Sequence, residues 1–303
     1  MSKYYYLISG LPNITFDDGK LPYPVLGFKD ELSEYLTKAD KRLLDILFLK
    51  VDNRNLLEQL RTPGYELETG GKLTDEELAE LITGMKLNRD RLKIEDPDDR
   101  PPQFKNKNKR LPVYFEPFVK AYLDEEENVE KSVIPWEDRL AAMYYDYAMK
   151  CANRFIASWF ELNLNINNIF TALTCRKYKL DRANYIVGDT EISNLLRSST
   201  ARDFELGDLL EYWPSVLRIA EDTDLLQREL KTDMLKWEWL DEQIFVKVFD
   251  IESVLTYMIK LQILDRWAGL DRATGDATFR QLVGDMKQGS NNALEEFKRN
   301  NKK

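Results

Sequence analysis

The amino-acid sequence predicts an all-α protein, and three observations support this prediction. Glycine and proline are scarce, with 13 and 11 residues in a chain of 303, and they cluster near residues 10–27 and 97–117. Between these clusters, apolar residues recur with the spacing of helices that bury one face. Thr, Asp or Asn precedes several of these stretches, at the position where a side chain caps a helix N-terminus.

The expected elements follow in chain order. Residues 4–8 form a short extended segment, because three tyrosines and an isoleucine favour a pleated, half-buried surface. One helix covers residues 29–49, where the apolar positions follow helical spacing. Thr74 begins another helix, which runs to about Met85, since Thr74 and Glu77 have the types and spacing of a capping box.

Residues 93–112 are the expected linker, because they combine several prolines with a basic run and little apolar content. The alternative is a docking segment for a partner. A single helix is expected from 136 to 159, with an aromatic stripe that we assign to the core in preference to a cofactor site. Further helices are expected near 166–178, 190–198, 223–240, 251–268 and 276–287, followed by a frayed polar tail.

Composition excludes several classes of function. The sequence contains no histidine, which excludes Ser-His-Asp triads and histidine-ligated zinc. Lys and Arg total 44 and Asp and Glu total 53, and the net charge of −9 argues against nucleic-acid binding. Cys151 and Cys175 are expected to be reduced core thiols, a single disulfide in an oxidising compartment being the alternative. Without a long apolar run, we expect no signal peptide or membrane span, and a cytoplasmic location.

Three features resemble ligand sites only superficially. Residues 70–74 read Gly-Gly-Lys-Leu-Thr, but a phosphate loop needs Ser or Thr at Leu73 and glycine at Glu66. Carboxylates cluster at residues 96–99 and 221–224, where Mg²⁺ or Ca²⁺ binding is the alternative to turn formation and helix capping. We therefore expect no cofactor, no metal site and no catalysis, and a histidine-free, metal-dependent helical enzyme is the remaining enzymatic alternative.

A ten-residue motif occurs at residues 51–60, 164–173 and 249–258. It reads apolar, Asp or Asn, two variable residues, Asn or Ser, two apolar, two variable, apolar. The second position is expected to cap a helix, because its side-chain oxygen can accept from an unpaired backbone N–H. These expected N-caps are Asp52, Asn165 and Asp250. We interpret the motif as a structural repeat, the alternative being a chance match among capped helices.

The second copy resembles a segment of a known family. Residues 155–176, with Asn165-Ile166-Asn167-Asn168-Ile169 at their centre, resemble the D-x-x-N-I-x-x-x-L-R segment of the C-type stalk subunit of V-type and A-type ATPases, called d-type in eukaryotes. Residues 249–266 resemble the corresponding segment of its last repeat, and residues 56–65 are similar to part of its first. Residues 4–12 resemble the opening of a bacterial family of unknown function associated with V-type ATPase gene sets, which indicates a divergent branch.

The resemblance implies an all-helical single domain over residues 1–303. Three pseudo-repeated units would form a funnel-like socket, and we place the units at roughly 1–92, 113–200 and 201–290, with the linker at 93–112 and the tail at 288–303. The implied function is that of a non-catalytic central-stalk subunit. Its partners are the other stalk subunits and the proteolipid rotor ring, through which alone it reaches the cytoplasmic face of the membrane. A helical scaffold or adaptor unrelated to ATPases is the alternative.

Overall fold

The computed structural model describes residues 4–17, 21–126 and 132–274. Within them the chain is all helical, with eleven α-helices and no β-strand, which confirms the predicted fold class. The helices are α1 (Tyr5–Gly10), α2 (Val25–Tyr35), α3 (Lys38–Arg61), α4 (Asp75–Leu92), α5 (Phe115–Glu126), α6 (Trp136–Met149), α7 (Arg154–Tyr178), α8 (Glu191–Ser198), α9 (Trp213–Ala220), α10 (Leu225–Ile244) and α11 (Ile251–Thr274). Short 3-10 turns cover Pro97–Asp99 and Arg182–Asn184.

The chain forms two compact units. Among the described residues, the first contains those within 1–41 and from 217 onward, and the second contains those within 42–216. The boundaries between the units fall within α3 and α9. They do not coincide with those of the expected pseudo-repeats, and the single domain with its funnel-like socket stays a prediction.

The N-terminal segment forms a short helix, so the prediction of an extended segment at residues 4–8 is wrong. The Tyr4 N–H donates to the Phe249 carbonyl at 2.8 Å, and the Tyr5 ring packs on Phe249 with centroids 4.6 Å apart. The Tyr4 hydroxyl also donates to Asp40. These tertiary contacts outweigh the β-propensity of the consecutive tyrosines, which depends strongly on context.

The single helix expected over residues 29–49 is divided into α2 and α3. The Asp40 N–H donates to Thr37 Oγ1 at 3.2 Å, so Thr37 caps the new helix directly before its first residue. The apolar spacing continues across this break. A side-chain cap therefore decides where α3 begins, and the periodicity alone does not reveal it.

The helix expected over residues 136–159 is likewise divided, into α6 and α7. Asn153 caps α7, because its side chain accepts from the Ile156 N–H at 3.1 Å. Cys151 lies in the break, so the expected aromatic stripe belongs to two helices. Tyr144 on α6 is buried, as expected for the core, and its hydroxyl donates to the Ile46 carbonyl at 2.6 Å.

Several of the other predicted helices begin close to the expected positions. The helix expected at 166–178 is instead the second half of α7, and α5 and α9 are not among the predicted helices. Thr74 and Glu77 form the predicted capping box, and α4 continues beyond Met85 to Leu92. The starts of α8, α10 and α11 agree with the expected helices within about two residues. The helix expected at 276–287 and the tail lie outside the described residues.

Each unit has its own core. In the second unit α6 packs against α7, α4 against α5, and α7 against α8, around the fully buried rings of Phe115, Phe118 and Phe204. In the first unit α2 and α10 pack against α11. Between residues 251 and 264, α11 is buried on nearly every side, and the buried residues include Thr256 and Lys260. Polar side chains on so enclosed a helix are the first candidates for a function.

Candidate functional site

Asp52 lies in the interior of α3, so its predicted role as a helix N-cap is wrong. Its fully buried carboxylate accepts from the backbone N–H groups of Lys72 and Leu73, at 2.8 and 2.9 Å. Glycine at position 71 permits this approach, because a Cβ there would lie 2.7 Å from Asp52 Oδ1. The Gly-Gly-Lys loop therefore turns its N–H groups onto a carboxylate of its own chain.

Asn165 lies in the interior of α7, and its predicted N-cap role is also wrong. The helix continues upstream to its cap at Asn153. The Asn165 amide donates instead to the Tyr212 hydroxyl at 3.1 Å. Burial raises the pKa of Tyr212 to about 12, so the phenol stays protonated in the hydrogen bond at neutral pH.

Asp250 directly precedes α11, the position of an N-cap residue. It is 7% exposed, and its backbone carbonyl accepts from the Ser253 N–H at 3.1 Å. Capping by its side chain stays a prediction. The three copies of the motif thus differ in place, with two inside helices and the third at a helix start.

The fifth position of the motif has a shared structural role in the first two copies. Asn55 donates to the Glu68 carbonyl at 3.1 Å and accepts from the Glu68 N–H at 2.9 Å. Asn168 does the same with Val187, at 2.7 and 3.0 Å. In both, one buried side-chain amide satisfies both backbone groups of a single loop residue. We call these pairs the asparagine clamps.

Each clamp fixes the loop between a motif helix and the next helix. Beyond the loop of Asn55, Thr74 caps α4, and beyond the loop of Asn168, Thr190 caps α8. The first two copies therefore share one build: a motif inside a long helix, a clamped loop and a threonine-capped helix. The sequence pattern identifies the motif but directs attention to its second position. The recurrence of Asn at the fifth position is the signal that points to the clamp.

Residues 93–112, which we call the strap, contain no α-helix and are fixed against α4. Asn88 donates to the Phe104 carbonyl at 2.9 Å and accepts from the Phe104 N–H at 2.8 Å, a clamp outside the motif. The Phe104 ring lies directly on Gly84, where a Cβ would overlap the ring. The absence of a side chain at this position lets the strap lie close to α4.

The far end of the strap is held by the N-terminal turn of α4. Asn108 donates to Glu77 at 2.8 Å, and Arg110 forms an ion pair with the same carboxylate at 3.2 Å. Between these anchors the strap exposes Lys105, Lys107 and Lys109. The predicted linker is thus a surface segment, and it is held against α4 at Phe104 and again at Asn108 and Arg110.

The acidic clusters form turns and caps. Asp96 accepts from the Asp98 N–H at 2.9 Å, and Asp224 caps α10 through the Leu226 N–H at 2.8 Å. Asp222 pairs with Lys231 at 2.6 Å, and this hydrogen bond lowers the pKa of Asp222. In the part of the chain that the structure describes, no three Cys, Asp or Glu side chains are grouped to hold a metal ion.

Both cysteines are free thiols, as predicted. Cys175 is buried in α7, whereas Cys151 is half-buried between α6 and α7. Burial raises the pKa of the Cys175 thiol. The neutral form is therefore favoured, which suits a packed side chain better than a nucleophile.

A cleft of about 310 Å³ lies in the first unit, between the N-terminal segment and helices α10 and α11. We call it the α11 cleft. The polar side of its lining includes Ser253, Thr256 and Lys260 from α11 and Asp241 from α10. The Lys260 Nζ lies 2.5 Å from Asp241 Oδ1 and 4.5 Å from the centre of the Trp237 ring.

Every helix within the described residues is too short or too polar to cross a lipid bilayer. A family model described as "Protein of unknown function (DUF2764)" matches residues 1–290 of the chain. No curated protein and no solved structure gives a significant match.

Proposed function

We propose that this chain, which belongs to the DUF2764 family of proteins of unknown function, is a non-catalytic central-stalk subunit of a V-type or A-type rotary ATPase. In this role it couples the rotating stalk to the proteolipid ring in the membrane. Because the family carries no known activity, the proposal rests on the chain's own residues and on its resemblance to the C-type stalk subunit.

The observation that carries the proposal is the shared build of the first two motif copies. The resemblance to the C-type stalk subunit lies in the same motif, and a protein made of repeated helical units would repeat its local contacts as well. Asn55 and Asn168, at the fifth position of their copies, each clamp one residue of the following loop. This equivalence in three dimensions supports an internal repeat more strongly than ten loosely matched letters do.

The clamps suit a part that transmits force through packing. A loop tied by a buried amide cannot shift without breaking two hydrogen bonds and leaving buried polar groups unpaired, at a cost of about 1–3 kcal/mol for each group. Tyr144 adds a link between α6 and α3 through its bond to the Ile46 carbonyl. Loops held in this way move with their helices, as a torque-bearing subunit requires.

The net charge of −9 indicates how partners would recognise the chain. An acidic protein associates fastest with surfaces of positive potential, and complementary charge influences association rate and specificity more than affinity. We therefore assign basic faces to the stalk subunits or ring loops that contact it. Their association is expected to slow as the salt concentration rises.

Co-purification from native membranes tests the proposal. The full chain is tagged in its own host, solubilised in mild detergent at low salt and isolated, and the co-purifying proteins are identified by mass spectrometry. We expect stalk and rotor-ring subunits of a rotary ATPase, which should be absent when an unrelated acidic helical protein carries the tag.

Two outcomes would contradict the proposal. If the tagged chain never recovers stalk or ring subunits, it is not part of the rotor. If it recovers a defined set of other proteins instead, the alternative of a helical scaffold or adaptor replaces the ATPase role.

A further inference from the structure

The α11 cleft contains a buried hydroxyl group with no hydrogen-bond partner among the described residues. Thr256 is 2% exposed, lines the cleft, and its Oγ1 makes no hydrogen bond within the described part of the chain. Other helix threonines behave differently: Thr232 on α10, also buried, donates to the Arg228 carbonyl at 2.7 Å. A buried hydroxyl that lacks a partner destabilises the fold, so Thr256 is a group that an occupant of the cleft would satisfy.

The polar wall of the cleft has no net charge. Lys260 and Asp241 form an ion pair that places one cation and one anion at the same wall. The Lys260 ammonium has three N–H donors, and one of them goes to Asp241. The wall therefore offers donors from Lys260 and Thr256 beside acceptors on Asp241 and Thr256. A ligand with a single charge would be repelled by either Lys260 or Asp241. A peptide group is neutral and carries one donor and one acceptor, so it can bond to the donors and the acceptors of this wall.

The lining of the cleft also includes aliphatic side chains. They are Ile8, Leu11 and Ile14 from the N-terminal segment, with Ile244 and Val248 at the end of α10 and just beyond it. At about 310 Å³ the cleft is at the small end of the range for ligand sites, large enough for one side chain with its backbone. Its composition fits a branched aliphatic side chain.

Two large, exposed apolar residues, which we call the rim, adjoin the cleft residues along the chain. Phe245 and Val246, which connect the cleft residues Ile244 and Val248 along the chain, are 85% and 83% exposed. Exposed apolar residues grouped beside a pocket are typical of surfaces that bind another protein. A small molecule confined to the cleft would not contact Phe245 or Val246, whereas a polypeptide that extends beyond the cleft would.

We propose that the α11 cleft is the docking site for an aliphatic residue of a partner polypeptide. The partner's side chain lies on Ile8, Leu11 and Ile244, and its peptide group bonds to Thr256 and Lys260. Phe245 and Val246 pack against the residues on either side. The proposal goes beyond the stalk function and does not depend on it, since the chemistry of the cleft is the same for any protein partner.

The test uses N-acetyl-L-leucinamide, the smallest probe that joins a branched aliphatic side chain to peptide groups. It is titrated into the full chain carrying ¹³C-labelled isoleucine methyl groups and followed by NMR. We expect saturable shifts at Ile8, Ile14 and Ile244, with Ile166 and Ile169 of the second unit unchanged. Thr256→Val should weaken binding about tenfold, while the matched variant Thr232→Val should bind as the wild type does.

Each other outcome overturns the proposal. Shifts that never saturate, or that include Ile166 and Ile169 equally, show adventitious contact. Equal affinity in Thr256→Val removes the hydroxyl from the site. Tighter binding of free L-leucine than of the amide makes the cleft a small-molecule site, because the zwitterion cannot continue into a polypeptide.

The rim provides an independent arm. The double variant Phe245→Ser/Val246→Ser should still bind the small probe but should reduce partner recovery at least tenfold when the tagged chain is isolated from its host. Unchanged recovery overturns the assignment of the rim. If sedimentation shows a concentration-dependent dimer that this variant abolishes, the occupant is a second copy and the proposal of a separate partner fails. Absence of ATPase subunits among the recovered proteins would refute the stalk function alone, while probe binding tests the cleft.

Discussion

At the scale of single residues, side-chain amides and carboxylates placed inside helices hold the adjoining loops. Asp52, Asn55 and Asn168 are each almost completely buried, yet the bonds described above that tie them to backbone go to loops and not to their own helix. Asp and Asn in helix interiors ordinarily compete with the helix for backbone groups. Here the side chains form hydrogen bonds with the backbone of neighbouring loops instead of their own helix, and these bonds stabilise the loops.

Replacing Asn168 tests the value of a clamp. Asn168→Ala removes the bonds to both backbone groups of Val187 and to Ser193, and it should lower the free energy of unfolding by about 3 kcal/mol. Its neighbour Asn167 is exposed and donates one hydrogen bond, to the Tyr145 hydroxyl at 3.2 Å, so Asn167→Ala should lower stability by no more than about 1 kcal/mol. Urea unfolding followed by circular dichroism measures both. Equal losses would show that the clamp has no special weight.

Removing the Thr256 hydroxyl should have the opposite effect on stability. Thr256→Val keeps the shape of the side chain and removes a buried polar atom that has no partner within the described residues, so unfolding should require about 1 kcal/mol more. Thr232→Val removes a bonded hydroxyl and should lower stability. Thermal melts of the ligand-free variants measure the difference. A Thr256→Val protein less stable than the wild type would indicate that the hydroxyl is satisfied in solution.

At the scale of elements, the sequence predicts the all-helical class and the location of many helices, but it does not predict where those helices begin and end. Periodicity predicts helices over 29–49 and 136–159, and the caps Thr37 and Asn153 divide them, because a side-chain cap can end a helix without disturbing the apolar spacing. The motif is visible in the sequence, but the distant residues that satisfy Asp52 and Asn165 are not visible in a local pattern. The α11 cleft is not predictable for the same reason, since its walls meet only when α10 packs on α11.

Two glycines inside helices are expected to respond oppositely to alanine. A Cβ on Gly27 in α2 would make only an ordinary contact of 4.0 Å with Pro24, so Gly27→Ala should stabilise the protein by about 0.5–1 kcal/mol. A Cβ on Gly84 in α4 would overlap the Phe104 ring, and Gly84→Ala should destabilise it by about 1–3 kcal/mol. Chemical denaturation distinguishes the two. A neutral Gly84→Ala variant would mean that the strap is free to leave α4.

At the scale of the whole molecule, the absence of histidine shapes the response to pH. No side chain with an ordinary pKa near 6.5 is present in the sequence, so protonation contributes little change in stability between about pH 6 and 8. The groups with shifted pKa values titrate in acid or in alkali. Stability should therefore form a broad plateau around neutral pH.

Stability falls at the two edges of this plateau for opposite reasons: the unfolded chain binds more protons than the folded chain in acid, and it loses more protons in alkali. Hydrogen bonds from Arg61 and Lys231 lower the pKa of Glu137 and Asp222, so the unfolded chain binds more protons in acid and stability falls below about pH 4.5. Burial raises the pKa of Tyr114 and Tyr144 well above that of free tyrosine, so the unfolded chain loses protons first and stability falls above about pH 10. Melting temperatures measured from pH 4 to 11, with tyrosinate absorbance in alkali, follow both edges. A step near pH 6.5 would contradict this account.

The strap has a practical consequence for dividing the chain. Its exposed Lys105, Lys107 and Lys109 are sites for trypsin, while Phe104 on one side and Asn108 and Arg110 on the other are held against α4. A single cut after Lys107 would leave each new terminus beside an anchor that already holds it. The two parts of the nicked protein should stay associated, elute as one species of unchanged size and melt together. Two separately expressed fragments divided at this point should reassemble into the same fold.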